Sequence, residues 1–123
     1  MISEKFKEVL KYEGVVAIAS QGENDFHISN TWNSYLRITD DNRILLPVGG
    51  MKKTESNINY NNKVLLTLGS REVMGFNSKG TGFLIRACAK FQYSGSEYEI
   101  IKKDYPWARA VLEIKPESIT QTL

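Results

Sequence analysis

The chain has 123 residues, 41% of them hydrophobic and 24% charged, the balance of a single globular domain over residues 1–123 and not of a disordered or multi-domain chain. Sixteen basic residues against 14 acidic ones leave a net charge of +2, too even a mixture for a polyanion binder that works by bulk electrostatics, so any basic function must be local. No apolar stretch approaches the roughly 20 residues a membrane-spanning helix needs, residues 1–10 hold no signal-like block, and the one cysteine, Cys88, has no intrachain disulfide partner; a cytoplasmic protein without membrane contact is expected.

Ser3 is placed to cap a helix in which Phe6, Val9 and Leu10 share one face, with Gly14 closing it. The apolar run Val15 to Ala19 predicts a strand buried on both faces. Phe26 to Tyr35 predicts a second strand of unusual polarity, since Ser29, Asn30, Thr31, Asn33 and Ser34 all offer side-chain hydrogen bonds. Asp40-Asp41-Asn42 turns the chain into a third strand, Arg43 to Val48, ended by Gly49-Gly50. A short polar helix is predicted from Thr54, its cap, to Asn61, then a fourth strand from Lys63 to Leu68. Gly69, Gly75, Gly80 and Gly82 predict a loop-rich stretch before a fifth strand, Phe83 to Tyr93. Ser96-Glu97-Tyr98-Glu99 has the form of a capping box and opens a helix that Pro106 stops. A half-exposed sixth strand, Ala108 to Ile114, and a polar tail complete the chain. Six short strands with few helices between them predict a mainly β domain with short helices, closed into a small barrel that hides its edges.

Two segments carry chemistry. Pro47-Val48-Gly49-Gly50-Met51-Lys52-Lys53-Thr54 joins a strand to a helix start through two glycines, two lysines and a hydroxyl, parts that together suit one phosphate group. A Walker A loop is excluded, because Lys52 stands where Gly is required. The bland alternative is a glycine corner with solvated lysines. Asn30-Thr31-Trp32-Asn33-Ser34-Tyr35 sets amides and hydroxyls beside two large rings, which suits the edge and face of a flat heteroaromatic ligand; Trp32, Tyr35 and Trp107 suit a barrel core equally well. A phosphate on one loop and a flat ring on a neighbouring strand describe a mononucleotide cofactor. Elsewhere the signals are weak. Gly80-Thr81-Gly82 lacks the third glycine of a dinucleotide fingerprint, and His27, the single histidine, excludes a His-rich metal site and reads as a surface residue. Cys88 has no neighbouring histidine to activate it and reads as an inert buried thiol, whereas Arg86 among apolar neighbours is either an outward charge or a group awaiting a partner.

Taken with Thr81-Gly82-Phe83-Leu84-Ile85-Arg86, these segments resemble, in order and spacing, the small bacterial members of the FMN-binding split-barrel group, to which the pyridoxamine-phosphate oxidases also belong. The resemblance runs from Glu8-Val9-Leu10-Lys11 to Gln121-Thr122-Leu123. It implies a six-stranded split barrel and a homodimer with one non-covalent FMN per subunit near the interface. By the same resemblance Lys53 and Thr54 hold the phosphate, the backbone of Pro47, Val48, Gly49 and Gly50 meets the pyrimidine edge, and Asn30, Thr31 and Trp32 border the ring system. Tyr35, Trp107 and Leu123 lie near the flavin, with the partner chain an open source for the last two; Pro106, directly before Trp107, is a departure from the family pattern that constrains the backbone there. No catalytic residue and no metal are implied. No cation falls within Pro47 to Gly50, so an electron carrier of low potential serving an unidentified redox partner protein is the leading expectation. An NAD(P)H-dependent flavin reductase or small-substrate flavin oxidoreductase is the alternative. A nucleic-acid module on a small barrel is disfavoured, because Lys and Arg scatter among equal acids.

Overall fold

The computed structural model describes residues 1–123. In chain order they form α1 (Glu4–Val9), β1 (Val15–Gln21), β2 (Phe26–Trp32), a 3₁₀ turn (Asn33–Tyr35), β3 (Arg37–Ile38), β4 (Ile44–Val48), α2 (Lys52–Tyr60), β5 (Lys63–Met74), β6 (Lys79–Gln92), α3 (Ser96–Asp104) and β7 (Ala110–Gln121). The strands make one antiparallel sheet in the order β2-β1-β5-β6-β7-β4-β3. Its inner face carries Val16, Ile18, Leu66, Ile85, Leu46, Leu112 and Ile114, all fully buried, and α1 closes over them with Phe6 and Val9. Phe6 meets Phe83 edge to face at 5.3 Å. The sheet curls into a barrel left open between β2 and the β3–β4 edge, and α2 crosses from β4 to pack on β1 and β2 at that opening.

The six expected strands are present, and the seventh, β3, has only two residues. Several boundaries differ for physical reasons. Ser3 caps α1 through the Phe6 amide (3.1 Å), but the helix ends at Val9 with Leu10 as its cap, and Gly14 lies instead in close approach to Asn33 and Gly69. β1 is buried on one face only; Ala17 and Ala19 are half-exposed on the other. β2 ends at Trp32, where Asn33 leaves the ladder to donate to the carbonyls of Tyr12 (3.0 Å) and Gly69 (3.1 Å). The expected glycine-rich loop is the pair of arms of a long hairpin. A Cβ on Gly69 would stand 2.6 Å from the Thr81 carbonyl oxygen, so glycine there permits strand pairing and does not interrupt it. Ser96 is the first residue inside α3, with Gly95 (φ 103°) preceding it and no side-chain cap, so the capping box does not form. The sixth expected strand and the polar tail are one strand, β7, and its segment from Ala110 to Ile114 is buried throughout, where half exposure was expected.

Candidate functional site

The opening of the barrel is a cleft of about 500 Å³. One wall is β2, an edge strand that contributes both faces, from His27 to Trp32. The facing wall is the β4–α2 corner, with Pro47, Gly49, Gly50, Met51, Lys52 and Lys53; Tyr35 and Trp107 close one end.

The corner has the groups that suit an anion. α2 begins after Met51, which adopts the left-handed conformation (φ 58°, ψ 35°) and supplies no side-chain cap. The first intrahelical bond is from the Glu55 amide to the Met51 carbonyl (2.9 Å), so the amides of Lys52, Lys53 and Thr54 have no partner within the helix and face outward at the positive end of its dipole. Lys52 and Lys53 stand beside them with no carboxylate within ion-pair distance. Glu55, one turn in, is drawn away from the cleft. Hydrogen bonds from the Tyr93 hydroxyl and the Arg109 guanidinium hold its carboxyl below the usual range.

The opposite end suits a flat ring. Trp32 and Trp107 are 44% and 51% exposed, so these indoles line the cleft and do not fill the core. Tyr35 lies 5.7 Å from Trp107 and 5.0 Å from Tyr105, whose outer face Arg37 covers at 5.4 Å. Trp107 belongs to the same chain as the rest of the cleft and lies against Gly49, where an added Cβ would meet the indole at 3.2 Å.

Nine of the twelve anticipated positions line this cleft: Asn30, Thr31, Trp32, Tyr35, Pro47, Gly49, Gly50, Lys53 and Trp107. Val48 is buried behind the wall, with its carbonyl accepting the Arg109 amide at 2.8 Å. Thr54 is not the helix cap. It sits inside α2, fully buried, and donates its hydroxyl to Ser29 Oγ at 2.9 Å, tying the helix to β2. Leu123 lies in a separate cleft with Glu13, Arg71 and Thr81, and its carbonyl accepts from Thr81 Oγ1 at 2.8 Å. The sequence reading missed His27, Ile28 and Ser29 on the β2 wall. Strand alternation carried that signal, through Thr31, Ser29 and His27 on one face and Trp32, Asn30 and Ile28 on the other. It also missed Glu55, Tyr93 and Arg109, which converge only in the fold.

Arg86 is exposed and unpaired, and Cys88 is half-buried with Sγ 3.7 Å from Glu117 Oε1. No group of three or more His, Cys, Asp or Glu side chains is arranged to hold a metal, and no helix is long and apolar enough to cross a membrane.

The family model for pyridoxamine 5'-phosphate oxidase matches residues 2–123. An FMN-binding protein of Nitratidesulfovibrio vulgaris (strain Miyazaki F) is 57% identical over 123 residues, the whole of both chains. Among solved structures, HupZ of Group A Streptococcus superposes with a TM-score of 0.81 at 22% identity, over 98% of this chain and 94% of that one. An FMN-binding protein of Syntrophomonas wolfei superposes with a TM-score of 0.75 at 17% identity, over 98% of this chain and 85% of that one. The opened barrel is thus the split-barrel fold, and the chain belongs to the pyridoxamine 5'-phosphate oxidase family.

Proposed function

We propose that the chain binds one FMN in the β2–α2 cleft and acts as a low-potential electron carrier in the cytoplasm, as a homodimer. The observation that carries the reading is the union, in one cleft, of an uncapped helix start flanked by two unpaired lysines with the rings of Trp32, Tyr35 and Trp107 in its lining. The 57% identical relative bears the name FMN-binding protein, which supports the same ligand here. FMN, when bound, supplies one- or two-electron redox chemistry. The chain's own part is to grip the phosphate with Lys53 and the α2 amides, to cover the ring with indoles and a phenol, and to leave its edge against neutral backbone.

Carrier function is favoured over a substrate-transforming oxidoreductase because the ring end of the cleft holds no carboxylate or histidine pair for acid-base work; His27 lies toward the other end of the β2 wall. The dimer is supported by the outer sheet face, where Val15, Phe26, Ile28, Trp32 and Leu65 are exposed together and Ile28 and Trp32 also line the cleft. In such a dimer Leu123 reaches a flavin only from the partner copy, since it stands outside its own chain's cleft.

The test is an absorption spectrum of the purified protein, before and after addition of FMN, followed by steady-state assay with NADH and NADPH. Flavin bands and no turnover are expected. A colourless protein that takes up no FMN overturns the cofactor reading, and sustained nicotinamide oxidation overturns the carrier reading.

A further inference from the structure

We propose that Arg109, which belongs to none of the cleft's walls, is the positioning residue of the phosphate corner and sets the preference for FMN over riboflavin; the inference rests on the cofactor reading above.

The segment before β7 lies along the β4–α2 corner residue by residue. The Arg109 amide donates to the Val48 carbonyl at 2.8 Å, the Trp107 ring lies against Gly49, and the Arg109 guanidinium reaches Gly50. Both Nε (3.1 Å) and Nη2 (2.5 Å) donate to the Gly50 carbonyl, while Nη1 and Nη2 donate to the two carboxylate oxygens of Glu55, each at 3.2 Å. One guanidinium therefore fixes both sides of Met51, the residue held in the left-handed conformation at the helix start. A β-carbon makes that conformation costly, and it persists only where its surroundings hold it.

Two consequences follow for a phosphate. Because the peptide between Gly50 and Met51 is planar and trans, anchoring its carbonyl on Arg109 turns the Met51 amide to the opposite side, toward the cleft that Gly50 and Met51 line. Glu55 is the only acid in the first turn of α2, and pairing with Arg109 offsets its negative charge beside Lys52 and Lys53. Loss of the guanidinium disorders the amide cradle and frees a carboxylate beside it. Both effects bear on a ligand that carries a phosphate far more than on one that does not.

The experiment is titration of flavin-free wild type, Arg109→Gln and Arg109→Lys with FMN and with riboflavin, read by flavin emission, with circular dichroism of each apoprotein to establish folding. The ratio of riboflavin to FMN dissociation constants should fall at least about tenfold in Arg109→Gln. Arg109→Lys should fall between, since lysine restores the charge but not the fork. A ratio unchanged in folded Arg109→Gln, with both affinities lost equally or neither, overturns the proposal; if that variant does not fold, the same criterion applies to Arg109→Lys. Wild type that binds FMN no better than riboflavin overturns the cofactor's phosphate contact itself, and with it this inference.

Discussion

Lys53 shows what one side chain should contribute to the cleft. Its ammonium stands beside three unpartnered amides and faces no acid, so a bound phosphate would be its only strong partner. Lys53→Ala should cost about 1.5–3 kcal/mol of FMN binding, roughly tenfold to a hundredfold in dissociation constant, measured by calorimetry. An unchanged constant removes Lys53 from the site. Trp32, Tyr35 and Trp107 make a second prediction at this scale. All three are electron-rich rings at one end of the cleft, so bound flavin should be nearly dark relative to free FMN, and Trp32→Phe should recover part of the emission; bright wild-type emission contradicts this placement. Lys53 was legible in the sequence because its glycines, lysines and threonine are contiguous. Thr54 was misread, since a hydroxyl at a helix start looks like a cap whether it is the flanking residue or, as here, three residues further in and bonded to Ser29.

At the scale of elements, the Pro47 to Gly50 turn should govern potential. It presents no cation of its own, and the guanidinium that touches it, Arg109, is paired with Glu55, so negative charge developing on the reduced ring's pyrimidine edge meets little net compensation. The midpoint potential of the bound cofactor should lie below that of free FMN, and spectroelectrochemical titration giving a higher value refutes the argument. A different charge cluster joins β4 to α3 and β7. Arg43 binds Glu97 (2.9 and 2.5 Å), Asp41 (3.0 Å) and Glu113 (3.3 Å), and Gln92 bridges Glu97 and Glu113 from β6. The Arg43 hydrogen bonds depress Glu97 from an ordinary 4.5, and Asp41 from 3.8, each to about 2. Carboxyls with depressed values stabilise the fold fully above pH 4.5, and that stabilisation fades as pH falls toward about 2. Arg43→Gln should therefore lower stability by about 1.5–3 kcal/mol near neutrality, and its melting temperature should converge on the wild-type value in acid; a gap that stays constant with pH would show that Arg43 acts by packing alone. None of this cluster was legible. Its members are scattered from residue 41 to residue 113, and only the antiparallel pairing of β4 and β6 with β7 brings them together. The strands themselves were legible from their apolar centres. Their ends were not, because glycines that permit close pairing look the same in sequence as glycines that break it.

For the whole molecule, the informative error is β1. Its unbroken apolar run, Val15 to Ala19, argues for burial on both faces, yet one face of this strand lies open in the single chain. Register shows what lies around it. Ile28, Ala19, Leu65 and Arg86 form one row across β2, β1, β5 and β6, and Asn30, Ala17, Thr67 and Leu84 form the next, with Trp32 opposite Val15 at the margin. Ile28 and Leu65 thus flank the small Ala19, with Asn30 and Thr67 flanking Ala17, a shape that admits a second surface closely, and an isologous pairing of two such faces would bury the run on both sides as its composition requires. Leu65→Lys places a second cation beside Arg86 at the centre of this face and repeats it across the two-fold, so the proposed dimer should dissociate while the barrel core, which Leu65 does not enter, remains folded. Sedimentation velocity should give a dimer for the wild type and a monomer for Leu65→Lys at equal concentration. Because Ile28 and Trp32 belong both to this face and to the cleft, FMN affinity should be lower in the monomeric Leu65→Lys variant than in the wild-type dimer. A wild-type chain that sediments as a monomer at micromolar concentration, or a Leu65→Lys variant that stays dimeric, would locate the partner surface elsewhere and leave the open face of β1 without an explanation.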